Sequence, residues 1–341
     1  MEPRFSLIII KYLNYYLLYS IVKMKSFDYD AINLIPKYCI VNSRSECDTS
    51  IQFGKYVFKM PVIPANMECV MNEDLAIKLA KHNYFYIMHR FNVNIRQFCE
   101  TMIANECYIS ISLGVNQDAY SDIDILKLYN IEPDYITLDI AHGHCIKMKS
   151  MIEYIRFQFP NTFIIAGNVS TPEAVIDLES WGAHAIKVGI GPGSACTTYN
   201  ATGFGSRGQQ AFIVEQCAKV RTKAHIIADG GISQPGDISK SLVLGASMVM
   251  IGGMFSGLTD SPGNTVQGID GKLYKEFWGS ASSYQSNKKN RIEGMKKLIP
   301  LKQHDILSEL KYLEECVQSS ISYGGGKDIL CLRSVQYFLK N

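Results

Sequence analysis

TFIIAGNVSTPEAVIDLESWGAHAIKVGIG, residues 162–191, holds two short apolar runs separated by one helical segment. Thr162–Val169 and Ala185–Gly191 are rich in β-branched residues, too short for helices and largely apolar on both faces, as buried parallel strands are. Pro172–Trp181, between them, has helical spacing, so the stretch reads as a strand–helix–strand unit of a parallel sheet. The rhythm extends both ways. Pro61–Met67, Tyr84–His89, Tyr108–Gly114 and Tyr135–His142 precede it, Ala224–Gly231 and Ser247–Met254 follow, and Glu73–Lys81 and Met148–Phe159 are helical. Eight such runs predict an α/β fold of the closed (β/α)8 TIM-barrel type rather than an open Rossmann sheet, and no GxGxxG follows the first run.

In such barrels chemistry sits at the C-terminal ends of the strands. Those ends carry Asn66, His89, Gly114, Asp139, Asn168, Gly189–Gly193, Asp229–Gly231 and Gly252-Gly253, a concentration of polar residues and glycine on one rim. The segment after the last run, about 255–303, is too long for an ordinary barrel loop and predicts a flap. Helical spacing returns over Asp305–Tyr323.

The chain of 341 residues is 47% hydrophobic and 19% charged, which supplies a core and excludes disorder. With 34 Lys+Arg against 32 Asp+Glu and no extended basic run, bulk electrostatic binding of nucleic acid is not expected. Ten cysteines lie scattered without CxxC or zinc spacing, which fits a reducing cytoplasm better than a disulfide framework. Ser6–Val22 is apolar and Tyr-rich, but Lys11 interrupts it and no small-residue cleavage site follows. Residues 1–23 are therefore expected to be an extension outside the fold, with Met24 as the working start and no membrane role, and 24–341 to form one catalytic unit.

The densest chemical feature is Gly189–Thr198 (GIGPGSACTT) after the sixth run. Its glycines leave amides and carbonyls bare, able to hold a cation or approach a ligand closely, and it presents Cys196 at the rim. Asp229-Gly230-Gly231 and Gly252-Gly253 close the last two strands, where barrels commonly seat phosphate. Bare amides backed by a helix N-terminus suit a phosphate, and Asp229 can accept both hydrogens of a ribose diol. Glycine there for tight packing alone is the competing reading. His142 and His144 can be read as a metal pair, although hydrogen bonding is the commoner use of HxH without carboxylates.

The runs KVGIGPGSACTT (187–198), IIADGGISQPGDISKS (226–241) and MVMIGGMFSG (248–257) resemble the IMP dehydrogenase/GMP reductase family. So do SRSECD (43–48), PANM (64–67), LDIAHGH (138–144), AGNV (166–169) and SSISYGGG (319–326). The resemblance runs from Met24 to the end. The opening MKSFDYDAINLIPK (24–37) is most similar to the bacterial-type GMP reductases of that family. Only residues 90–107 separate the second and third runs, leaving no room for the paired CBS modules of IMP dehydrogenases. The flap also lacks their Arg-Tyr dipeptide and reads Arg291-Ile292-Glu293-Gly294-Met295-Lys296.

This resemblance implies NADPH-dependent reduction of GMP to IMP with loss of ammonia, in purine salvage, by a homotetramer. It implies Cys196 as nucleophile, with Thr198 and Glu293 as a proton relay. The nucleotide would meet Asp229, Gly230, Gly231, Gly252, Gly253, Gly279 and Gly294. The cofactor would meet Ser43, Arg44, Arg90, Asp139 and Ala141, with Ser319, Ser320 and Ser322 lent by a neighbouring subunit. Carbonyls of Gly191, Gly193 and Cys196 would hold K+. Two positions depart from the family: Arg90 stands where lysine is common, and Tyr199-Asn200 where basic residues are common. The alternatives are an IMP dehydrogenase without CBS modules, using NAD, and a non-catalytic purine-nucleotide sensor.

Overall fold

A computed structural model describes residues 26–286 and 292–340. The extension at 1–23 and the flap residues Asn290-Arg291 lie outside them. In chain order the elements are β1 (Ile32–Leu34), β2 (Ile51–Phe53), β3 (Tyr56–Phe58), β4 (Val62–Pro64), α1 (Glu73–Lys81), α2 (Ile95–Ala104), β5 (Ser110–Leu113) and α3 (Gln117–Leu128). There follow β6 (Tyr135–Asp139), α4 (Ile146–Gln158), β7 (Phe163–Val169), α5 (Pro172–Trp181), β8 (Ala185–Val188), α6 (Thr198–Thr202), α7 (Gln210–Val220) and β9 (His225–Asp229). The remainder comprises α8 (Pro235–Val243), β10 (Met248–Ile251), α9 (Gly253–Ser256), β11 (Thr265–Gln267), β12 (Leu273–Trp278), α10 (Ser283–Ser286), β13 (Lys296–Pro300), α11 (Ile306–Tyr323) and β14 (Tyr337–Leu339).

Seven parallel strands pair in the order β4-β10-β9-β8-β7-β6-β5, the curled sheet of a (β/α)8 barrel. Period-two alternation divides their side chains between two cores. Ile63, Tyr135, Ile165, Ala185 and Ile227 fill the barrel interior, while Val62, Ile136, Ile164, Ile186 and Ile226 pack under the helices. Three of the barrel helices start where short polar side chains accept from first-turn amides. Asn72 caps α1, Asn94 caps α2, and Thr171 caps α5 ahead of Pro172. The β2–β3 hairpin plugs the N-terminal end with Phe53 and Phe58, both buried against Phe85 and Tyr135.

The run Tyr84–His89 occupies the second-strand place, but only Met88 bridges to Ile111 of β5. Tyrosine hydroxyls replace the rest of the ladder. Tyr86 N–H donates to Tyr108 Oη at 3.1 Å, Tyr86 Oη donates to the Tyr108 carbonyl at 2.8 Å, and Ser110 N–H donates to Tyr86 Oη at 3.2 Å. The segment expected as a flap carries regular structure. β11, β12 and β13 form a three-stranded antiparallel sheet over the rim. Helix α11 begins one residue past its expected start, with Asp305 as its cap.

Candidate active site

The chain leaves β8 at Gly189, whose φ of 147° and whose position against Asp229 exclude a side chain: a Cβ there would lie 2.1 Å from the Asp229 carbonyl oxygen. The loop then turns on Gly191 at φ 73°, and Cys196 N–H donates to the Gly193 carbonyl at 3.0 Å. This turn sets the Cys196 Sγ 3.2 Å from Thr198 Oγ1, and Thr198 Oγ1 donates to Glu293 Oε2 at 2.7 Å. Glu293 arrives from the flap by backbone pairing. Thr197 N–H donates to the Glu293 carbonyl at 2.8 Å, Met295 N–H to Ala195 at 2.9 Å, and Glu293 N–H to Ala281 at 3.0 Å. Gly279 and Gly294 permit that approach, since a Cβ on Gly279 would come 2.7 Å from the Ala195 carbonyl oxygen and one on Gly294 2.9 Å from the Ser282 nitrogen. The three residues expected as nucleophile and relay thus form one chain of contacts.

The other cysteines have different surroundings. Burial pushes the Cys69 and Cys99 thiols up to about 12, and raises Cys47, Cys107, Cys217 and Cys331 as well. Cys39 departs from that pattern. It is exposed, and the Ser322 hydroxyl 3.2 Å away holds its thiol below the usual range.

Strands β9 and β10 pair in parallel, so the loops Gly230-Gly231 and Gly252-Gly253 open side by side. Gly230 and Gly231 both have positive φ, at 83° and 78°. The Gly230 amide is not bare: it donates to the Met250 carbonyl at 3.2 Å. At the start of α8 the Asp237 carboxylate accepts from the Ser233 and Gln234 amides. What remains beside Gly231 is the start of α9 at Gly253, where a Cβ would meet nothing within 4 Å.

Beneath these loops four of the expected rim residues, Asn66, Asp139, Asn168 and Asp229, form a polar layer around Lys187, which the motifs did not single out. Lys187 of β8 has its side chain 2% exposed and donates to Asp139 Oδ1 at 2.7 Å and to Asp229 Oδ2 at 3.1 Å. Asn66 donates to Asp139 Oδ2 at 2.9 Å, and Asn168 donates to Asp229 Oδ2 and to the Gly189 carbonyl, both at 2.7 Å. Burial works against the Asp139 carboxylate, but the Lys187 ammonium and the Asn66 amide more than offset it and hold it below the ordinary range. Burial likewise opposes the Lys187 ammonium, and the two carboxylates hold it above the usual lysine range. A charged residue inside an apolar strand was the one available signal.

The residues expected at the cofactor fall into two groups. Arg90 lies over the end of β5, near Gly114, stacks on Phe91 and acts on Asp139 electrostatically, while Ala141 is exposed on the same rim. Ser43, Arg44, Ser319 and Ser322 sit together elsewhere. Arg44 Nη1 donates to Ser319 Oγ at 3.2 Å and its guanidinium covers the Tyr323 ring, whereas Ser320 Oγ donates back to the Cys316 carbonyl. Ser43 caps the turn Arg44–Glu46. No hydrogen bond or ion pair among the described residues joins the two groups.

His144 does have a carboxylate partner, contrary to expectation: its Nε2 lies 2.8 Å from Asp177 Oδ2. Among the described residues no group of three His, Cys, Asp or Glu side chains is placed to hold a metal ion. The Gly191, Gly193 and Cys196 carbonyls are the donor type a hard monovalent cation takes, with Gly193 already accepting the Cys196 amide. Among the same residues no helix is long and apolar enough to cross a membrane.

Comparison with known proteins bears on this geometry directly. Residues 26–341 match the family described as IMP dehydrogenase / GMP reductase domain. The chain is 52% identical over 314 residues to a protein named GMP reductase from Albidiferax ferrireducens, covering 92% of this chain and 96% of that one. It is 51% identical over 317 residues to a GMP reductase from Mycoplasma mycoides subsp. mycoides SC, covering 93% and 98%. A GMP reductase from Lactobacillus johnsonii is 50% identical over 317 residues, covering 93% and 95%. With residues 26–341 matching that family and these relatives 50–52% identical over more than nine-tenths of the chain, the chain belongs to the IMP dehydrogenase/GMP reductase family.

Proposed function

We propose that the chain is a GMP reductase, converting GMP, a hydride from NADPH and two protons to IMP, NADP+ and ammonium. The observation that carries this reading is the chain of contacts from Cys196 through Thr198 to Glu293, closed by flap pairing. The Cys196 thiolate adds to purine C2, forming a C–S bond, and the bond from C2 to the exocyclic 2-amino nitrogen breaks to leave a covalent thioimidate. Ammonia is a good leaving group only when protonated, and the proton passes from Glu293 through the Thr198 hydroxyl. Bound NADPH would supply the hydride for C2, and the C–S bond would then break to return Cys196 as thiolate.

On the nucleotide, both bonds to Asp229 fall on Oδ2, so Oδ1 is the atom for the ribose hydroxyls. Gly231, Gly252 and Gly253 face the phosphate, while Gly230 contributes shape. On the cofactor, Arg90, Asp139 and Ala141 serve the rim. Ser43, Arg44, Ser319, Ser320 and Ser322, grouped away from that rim, serve a neighbouring copy's, within a cytoplasmic homotetramer of purine salvage. K+ would lie on the carbonyls of Gly191, Gly193 and Cys196 and order the loop.

One assay tests the reading: incubation with GMP and NADPH, followed at the nicotinamide band. Absorbance loss matched by ammonia release is the expected result. NADH production from IMP and NAD would make the chain a dehydrogenase, and neither reaction would make it a nucleotide sensor.

A further inference from the structure

A lysine inside a parallel strand is a costly placement unless its charge is matched. The Lys187 ammonium is matched twice, by carboxylates on two different strands, Asp139 of β6 at 2.7 Å and Asp229 of β9 at 3.1 Å. Two carboxylates and one ammonium leave one net negative charge in the layer. Asn66 and Asn168 fix the outer geometry, each donating to one of the carboxylates. Charge-assisted bonds in a dry interior are strong and polarise one another. The share of the ammonium taken by Asp139 therefore sets how much negative charge Asp229 keeps for a ligand hydroxyl.

We propose that Lys187 is a positioning residue that couples the nucleotide side of the rim to the cofactor side, by dividing its ammonium between Asp229 and Asp139. This rests on the reading above, in which Asp229 meets the ribose and Asp139 the cofactor. Lys187 itself touches neither ligand. It acts by setting the orientation and the acceptor strength of the two carboxylates that do.

The test measures nucleotide affinity on the full chain by isothermal titration, with no cofactor present. Asp139→Asn removes the cofactor-side charge and leaves Lys187 and Asp229 as a one-to-one ion pair. GMP affinity should fall about 5-fold, the lower range of inter-site coupling, because Asp229 becomes the ammonium's only anion and a weaker acceptor. The 2′,3′-dideoxy nucleotide, which has no hydroxyl for Asp229, should bind Asp139→Asn and wild type within about twofold. GMP binding unchanged in Asp139→Asn, or an equal loss for both nucleotides, would overturn the coupling. A wild type that binds the two nucleotides alike would instead take Asp229 off the ribose, and the proposal falls with that reading. Lys187→Gln gives the second arm. In that background Asp139→Asn should no longer change GMP affinity, and a full loss there would show a path that bypasses Lys187. If Lys187→Gln does not fold, the comparison of the two nucleotides on Asp139→Asn decides alone.

Discussion

Around Cys196 the sulfur has a hydroxyl at 3.2 Å and a carboxylate one hydrogen bond further on, whereas Cys69, Cys99 and Cys217 are closed in by apolar side chains that hold the thiol protonated. Cys196→Ala should therefore abolish turnover while GMP binds nearly as before, and a residual rate above about 1% would argue against covalent chemistry, since losing a nucleophile costs several orders of magnitude. Glu293→Gln separates the two half-reactions. It keeps the size of the side chain and can still accept from Thr198, but it cannot exchange a proton. GMP reduction should drop by about 10²–10⁴-fold, the usual worth of a general acid. The burst of NADPH from IMP and NADP+, which asks nothing of Glu293, should stay within about tenfold of wild type. Equal losses in both assays would make Glu293 a flap residue that positions the purine.

At the scale of elements, the pairing of 293–295 with the cysteine loop and with Ala281 is what delivers Glu293, and Gly279 is its tightest point. Gly279→Ala would drive a Cβ to 2.7 Å from the Ala195 carbonyl, backbone that cannot swing aside. The flap must lift, and kcat should fall about 10²-fold, as displacements near 1 Å cost in aligned sites. Gly236→Ala in α8, where a Cβ would meet nothing within 4 Å, is the matched control and should keep full activity. The barrel strands were legible because burial on both faces leaves unbroken apolar runs, and α5 matched its expected bounds residue for residue. The flap sheet was not, since β11 and β13 expose much of their surface and β12, though buried over its last four residues, carries Lys275 and Glu276 there. Lys187 was hidden differently. Asp139 lies 48 residues before it and two strands away, Asp229 follows it on the neighbouring strand β9, and the register β6-β7-β8-β9 brings the three together.

Over the whole molecule the two ends of the barrel carry opposite burdens. The C-terminal rim keeps its charges paired around Lys187, while the N-terminal end holds two half-buried histidines in a setting that rejects a proton. His184 precedes β8 and accepts the Ile164 amide on Nδ1 at 2.9 Å, with Arg156 beside its other nitrogen. Burial, reinforced by Arg156 and by His225, lowers its pKa to about 4. His225, the first residue of β9, is lowered by burial and by Arg221 and Arg333. A histidine lowered in the folded state binds its proton more readily once unfolded. Its stabilising effect is complete above the unfolded value near 6.5 and is lost as pH falls from there through about 4. Because the ring is only partly buried, solvent screening reduces the full value of about 1.4 kcal/mol per pH unit for one proton, and His184 alone should cost the fold about 1 kcal/mol between pH 6.5 and 5. Urea midpoints at pH 7 and pH 5 measure this. The wild type should lose stability over that interval, and His184→Gln, which retains an acceptor for the Ile164 amide, should lose distinctly less. A wild-type midpoint unchanged at pH 5 would mean that the ring is already protonated in the folded chain, with the Ile164 contact broken.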